Sequence, residues 1–216
     1  MGGFHLAYPL QDIPYLVITL LAAFTFHEWA HAYMAYRFGD DTAKKQGRLT
    51  LNPLHHIDPF GTLMILIAGF GWARPVPVNR FNFKRPRIAG VLVSIAGPLS
   101  NLVLSVIGLI IYIAILHAGS DPANFLRFLV LFINLNMVLF IFNLLPFPPL
   151  DGYRILEDLA PNHLRAKMTQ YEQYGVIIFL ILVITPLDNY TIQPIFNTVL
   201  PWLLNSFGNL IQNLFI

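Results

Sequence analysis

Residues 24–39 read FTFHEWAHAYMAYRFG, and within them His27, Glu28 and His31 stand in the spacing H-E-x-x-H. On a helix, positions i and i+4 lie one turn apart on the same face, so both imidazoles can reach one metal ion while Glu28 turns toward its open coordination position. That is the geometry of a zinc hydrolase. The chain has three glutamates in 216 residues, and one of them stands between two histidines in an almost wholly apolar segment. Residues 13–26 carry no charge, and only Thr19 and Thr25 interrupt the apolar run before His27. A soluble metalloprotease helix would show a polar face, so this one reads as membrane-embedded.

Composition extends that reading to the whole chain. It is 56% hydrophobic and 11% charged, against about 25% charged residues in soluble domains, and its mean hydropathy is +0.61. The expected class is an all-α polytopic membrane protein, with residues 1–216 forming a single membrane-embedded domain and no room for an appended soluble one. Cysteine is absent, which excludes disulfides and thiolate ligands and leaves His, Asp and Glu to hold any metal. No Lys or Arg precedes Arg37, so the first hydrophobic stretch lacks the n-region of a signal peptide and is expected to be retained. A net charge of +2 gives no basis for a nucleic-acid partner.

Taken in order, a short lead-in over residues 1–14 could lie along the bilayer surface, and residues 15–37 are long enough to cross it. Residues 60–72 are apolar but too short to span, which fits a re-entrant segment. Further long spans are expected over residues 88–116, with Gly97-Pro98 bending or opening the helix, and over residues 125–145. The proline run Pro146-Phe147-Pro148-Pro149 then leads to Asp151-Gly152. Residues 153–170 read as a surface helix and 171–187 as another span; residues 189–216 either span or lie on the membrane. The expectation is about four to six transmembrane helices, the re-entrant segment, and short extended (β) pieces near the active site at residues 48–51 and 76–79. Twelve of the thirteen Lys and Arg residues, all but Arg127, then fall on one side. The positive-inside rule makes that side cytoplasmic, together with Asp151 and the C-terminal half of the first span.

Catalytic zinc usually takes three protein ligands and a water, so two histidines leave it one short. Asp151 is the best candidate, being acidic, at the same side as His31, and followed by a glycine that lets the backbone turn closely. Glu28 could accept a proton from water attacking a carbonyl and return it to the leaving amine. Asn101 and Asn143 are amides inside or at the ends of apolar spans, where each needs a partner. Competing roles exist for several of these residues. Asp151 could cap a helix, Asn101 and Asn143 could be hydrogen-bonding glue between helices, and His55 and His56 could bind a second metal or simply bond to backbone. His and Asp inside spans also mark ion pathways, which makes a metal transporter the rival function.

Three stretches together resemble the site-2 protease family (peptidase M50) of intramembrane zinc metalloproteases, and LNPLHHIDPFGTL at residues 51–63 with GWARPVPVN at residues 71–79 resembles its compact branch without PDZ or CBS domains. The three are HEWAH, SIAGPLSN at residues 94–101, and NLLPFPPLDG at residues 143–152. The last matches the family pattern N-x-x-P-x-x-x-x-D-G through Asn143, Pro146, Asp151 and Gly152. The resemblance covers roughly residues 20–155. It implies His27, His31 and Asp151 as ligands of one zinc per chain, Glu28 as catalytic base, and Asn101 and Asn143 as oxyanion or substrate-positioning residues. It also implies an endopeptidase acting on a transmembrane protein or peptide in the lipid bilayer, partly unwound to be cut, as in regulated intramembrane proteolysis. The expected location is a prokaryotic cell (inner) membrane.

Overall fold

The structure is a computed structural model and describes residues 8–68 and 71–213; the start of the expected surface lead-in and residues 69–70 lie outside the described residues. The described residues form helices α1 (Ile13–Arg37), α2 (Thr42–Lys45), α3 (Pro59–Ala68), α4 (Pro86–His117), α5 (Ala123–Asn143), α6 (Asp151–Leu159), α7 (Asn162–Ile184), α8 (Asp188–Thr191) and α9 (Gln193–Gln212). Three stretches, Leu10–Arg37, Pro86–His117 and Ala123–Asn143, are long and apolar enough to cross a membrane. They form the body of an all-α membrane fold.

Helix α4 packs against α1, α5 and α6. Lipid tails are as apolar as leucine, so the helices gain little from the hydrophobic effect inside a bilayer and depend on close van der Waals packing. Small residues allow that approach: Ala23, Ala30, Ala32 and Ala35 are buried along α1, and Gly90, Gly97 and Gly108 along α4. Leu16, Leu20, Phe24 and Ile65 fill one cluster between α1 and α3, and Ala35, Phe83, Ala89 and Val93 fill a second between α1 and α4. Ser105 on α4 donates to the carbonyl of Ile133 on α5 at 2.9 Å, which gives its buried hydroxyl a partner. At the end far from His31, Arg127 pairs with Asp12 at 2.6 Å, joining the N-terminal ends of α1 and α5.

Gly39 ends the α1 corner with φ at +104°, and a Cβ there would come within 3.2 Å of the Asn82 carbonyl. The segment returning toward α4 can therefore pass directly beneath α1. Gly152 has a comparable task, since a Cβ there would lie 2.3 Å from the Leu144 carbonyl. Its absence lets α6 begin against the end of α5, and that places Asp151.

Helix α6 is tied to its neighbours by a buried charge network. Arg80 reaches Glu157 and Asp158 at 3.0 Å each, Arg165 reaches Asp158 at 3.2 Å, and Arg154 bridges Glu157 and Glu172. Three guanidinium groups face three carboxylates, so the network is neutral and its charges are paired, as burial requires. Burial still pushes the Asp158 carboxyl above its usual range, with Arg80 and Arg165 opposing the shift.

The extended pieces differ from expectation: there is no strand among the described residues. Prolines 75 and 77 have no amide donor, and the intervening N–H is taken by a side chain, so the segment cannot build a ladder. Residues 49–50 bend and their neighbours 48, 51 and 52 pair with no strand. The apolar stretch at 60–72 overlaps the ten-residue α3, which begins one residue earlier at Pro59. Helix α4 stays continuous through Pro98. The expected surface helix ends at Leu159, and α7 then runs unbroken from Asn162 to Ile184 across the expected boundary near residue 171. A change from polar to apolar composition stops no helix, whereas Pro161 fixes the start of this one. The tail is helical as α9, with Pro201 inside it.

The close fit of α4 against α6 is testable at Gly90, where a Cβ would meet the Asp158 carboxylate at 2.1 Å. Gly90→Ala should destabilise the protein by about 1–3 kcal/mol through overpacking, measured as a lower thermal midpoint in detergent.

Candidate metal centre

His27 and His31 project from one face of α1, and Asp151 meets them from the first residue of α6. His27 Nε2 and His31 Nε2 are 3.0 Å apart, and Asp151 Oδ2 lies 3.2 Å from the first and 3.3 Å from the second. Among the described residues these three form the one group of His, Asp or Glu side chains arranged to hold a metal ion. Four ligands at about 2.0–2.1 Å in a tetrahedron stand about 3.3–3.4 Å apart, so the triangle has close to the edge length that zinc requires. Asp151 takes no helix-capping role: its side chain makes no cap bond, and Leu150 holds the cap position.

The hydrogen bonds behind the rings fix their tautomers. His27 Nδ1 donates to Asn101 Oδ1 at 2.8 Å, and His31 Nδ1 donates to the Val93 carbonyl at 2.7 Å. Each Nε2 is then left as a lone pair facing the centre of the triangle. The Asn101 amide is oriented by its other end, where Nδ2 donates to the Ala23 carbonyl at 3.2 Å and to Asn136 Oδ1 at 3.1 Å. Asn136 in turn donates to the Phe132 carbonyl at 2.9 Å. Asp151 Oδ2 is buried and receives no hydrogen bond. Three electron-rich atoms within 3.3 Å, with their donors turned outward, fit a cation.

Gly97 provides room for the centre. A Cβ at this position would lie 2.2 Å from His31 Nε2 and 2.7 Å from His27 Nε2. Next to it, Pro98 has no N–H to give the Ser94 carbonyl, and the neighbouring Val93 carbonyl is the one that accepts from His31.

Glu28 Oε2 accepts the main-chain N–H of Val76 at 2.8 Å. Glu28, both histidines and Asp151 line a cavity of about 1070 Å³. Its walls continue past Asn143 on α5 to Arg80, Arg154 and Arg165 near the α6 network.

The two asparagines separate in placement. Asn143 lines the cavity, and its Nδ2 donates to the Leu139 carbonyl at 2.9 Å within its own helix. Asn101 is fully buried with donors and acceptor all taken, so it stands behind His27 instead of facing a substrate carbonyl. His56 is buried with Nε2 against the Thr50 carbonyl at 2.8 Å, a backbone partner, and burial lowers its pKa. Sequence reasoning missed Asn136 and the space-making role of Gly97. Asn136 carried a usable signal, being an amide in the middle of an apolar span.

A buried His₂Asp cluster beside a glutamate, with both histidines and the glutamate on a helix long and apolar enough to span a membrane, has the donor set of a membrane-embedded metalloprotease centre. Comparison with known proteins gives the family. The profile of Peptidase family M50 matches residues 112–185. The chain is 59% identical over 215 residues to a Bacillus subtilis protein named "Putative zinc metalloprotease YwhC", covering 97% of this chain and 98% of that one. It is 33% identical over 197 residues to "Putative zinc metalloprotease Rip2" of Mycolicibacterium smegmatis, covering 84% of this chain and 72% of that one. It is 28% identical over 160 residues to "Putative zinc metalloprotease MJ0611" of Methanocaldococcus jannaschii, covering 72% and 77%. No solved structure matches it. The chain therefore belongs to the M50 (site-2 protease) family of intramembrane zinc metalloproteases, and it is a peptide-bond hydrolase.

Two substitutions test the centre through metal content alone. Asn101→Ala should weaken zinc binding by about 10–100-fold, because the His27 ring loses the bond that orients it. Gly97→Ala should lose zinc more completely, since its methyl group would intrude on both Nε2 atoms. Zinc retained against a competing chelator measures both.

Proposed function

We propose that this protein is an endopeptidase that cuts peptide bonds within or beside a transmembrane segment of a membrane-protein substrate, as in regulated intramembrane proteolysis. The observation that carries the proposal is the triangle of His27 Nε2, His31 Nε2 and Asp151 Oδ2, with edges of 3.0–3.3 Å, opening with Glu28 onto one large cavity. In this reading His27, His31 and Asp151 bind one zinc per chain. The ion, when bound, supplies a Lewis acid that acidifies water and polarises the scissile carbonyl.

Glu28 accepts a proton from the water whose oxygen bonds to the carbonyl carbon. It delivers that proton to the amine as the C–N bond breaks, leaving one new carboxyl and one new amine terminus. Asn101 is a positioning residue that acts through His27. Asn143, on the cavity wall, is a candidate to donate to a substrate carbonyl. The cavity of about 1070 Å³ has room for a stretch of peptide, and that stretch must be unwound to be cut, because the carbonyls of an intact helix are closed by i to i+4 bonds.

Residues 1–216 act in this reading as one membrane-embedded domain. Three helices are long and apolar enough to cross; in this reading α7 adds a fourth crossing, and α9 either adds a fifth or lies on the membrane. The basic residues support a site open to the cytoplasmic side of a prokaryotic inner membrane. All but one of the thirteen fall to the site's side on the sequence reading, and the exception, Arg127, pairs with Asp12 at the opposite end.

The test uses purified protein and a reporter transmembrane substrate. Wild type should hold about one zinc per chain and cut. Glu28→Gln should keep the metal and lose turnover, whereas Asp151→Ala should lose both. Turnover by Glu28→Gln, or wild type without metal, contradicts the assigned roles.

A further inference from the structure

The segment from Ala73 to Asn79 crosses the cavity directly over Glu28, and its sequence, Ala-Arg-Pro-Val-Pro-Val-Asn, has an uncommon property. Within Pro75-Val76-Pro77 only Val76 has a main-chain N–H. That single donor points at Glu28 Oε2 from 2.8 Å. Pro77 also restricts Val76 to extended backbone, so the direction of the N–H is set by the residue that follows it.

The strap carrying this donor is pinned on both sides of it. Upstream, Arg74 N–H donates to the His56 carbonyl at 2.9 Å, and the Arg48 guanidinium donates to the Arg74 carbonyl at 2.7 Å. Downstream, Asn79 N–H donates to Asp40 Oδ2 at 2.7 Å, and Asn82 Nδ2 donates to Asp40 Oδ1 at 2.8 Å. Burial opposes the charged form of Asp40, yet these bonds and those from Thr42 hold its carboxyl below the usual range. Beyond Asn79, Arg80 locks the strap to Glu157 and Asp158 on α6, the helix that supplies Asp151. One amide is thus held over one carboxylate by at least four independent attachments.

A carboxylate on a three-carbon stem rotates freely about its last bond unless something holds it. Glu28 Oε1 has no hydrogen bond among the described residues, so the Val76 amide is the contact that fixes the carboxylate plane. The contact also explains why the strap is a poor edge for strand addition: its central donor is already taken inward.

We infer that the main-chain N–H of Val76 is a positioning group for the reaction, holding Glu28 by one oxygen so that the other faces the cavity to exchange the proton. The inference rests on the proposed role of Glu28 as base. It assigns the Pro-Val-Pro sequence a task unrelated to metal binding. A bond between an N–H and a charged carboxylate that is made in the right geometry corresponds to about ten- to a hundredfold in rate.

The experiment compares Val76→Ala, which keeps the N–H, with Val76→Pro, which removes it, using the full chain in detergent and the reporter transmembrane peptide that wild type cuts. Val76→Pro should keep its zinc and lose about ten- to a hundredfold in kcat with KM within about threefold, while Val76→Ala stays within about threefold in both. Equal kcat for the two variants overturns the inference. So does a loss confined to KM, which would assign the strap to substrate binding. If Val76→Pro fails to fold or to hold zinc, the α-hydroxy acid analogue of valine is placed at position 76. It replaces the N–H by an ester oxygen without altering the side chain, and the same kcat and KM criteria apply. Glu28→Gln serves as the discriminating control. If it cuts, the role of Glu28 itself is wrong; if it is inactive while the proline and ester variants turn over normally, only the amide's role is wrong.

Discussion

Inside an apolar bundle, His27 Nε2, His31 Nε2 and Asp151 Oδ2 stand 3.0–3.3 Å from one another, each offering a lone pair to the same point. Buried electron-rich atoms at such separations repel unless a cation lies between them. Much of the local architecture answers to that constraint. Gly97 clears the space beside the rings, and Gly152 lets α6 start close enough for Asp151 to arrive. Asn101 and the Val93 carbonyl take the far sides of the imidazoles, so that the lone pairs point inward. The amide of Asn136, on a third helix, completes the relay from α1 through α4 to α5.

A second layer of polar structure holds the parts in register. Asp151 comes from a nine-residue helix, too short to be stable alone. It is anchored by Glu157 and Asp158, which are almost wholly buried and reach Arg80, Arg154 and Arg165. Arg80 also directly follows the strap that crosses Glu28. Asp151 on α6 and the amide over Glu28 therefore share one ion-pair network, and a shift of either element would be felt by the other.

The candidate site was readable from sequence where chemistry is local. The H-E-x-x-H spacing places two rings on one helical face whatever surrounds them, and an acid set after a proline run and before a glycine marks Asp151. What could not be read is what depends on distant packing. Asn101 stands out as a polar residue in an apolar span, but nothing local says that its acceptor turns to His27 and not to a substrate. Val76 offers no signal by itself, since its partner Glu28 lies 48 positions away. The same division holds for the fold. The long apolar helices follow from length and hydropathy, while the Pro-Val alternation suggested an extended strand edge and the structure uses its lone donor on a side chain. The boundary expected near residue 171 failed because charge composition alone does not end a helix; only Pro161 does so here.

X-ray absorption at the zinc edge of the purified protein reads the metal's coordination without relying on turnover. A His27, His31 and Asp151 site should give outer-shell scattering from two imidazoles, with nitrogen and oxygen donors at about 2.0–2.1 Å and a total of about four ligands. An edge spectrum with no imidazole scattering, or an octahedral all-oxygen shell, would contradict it.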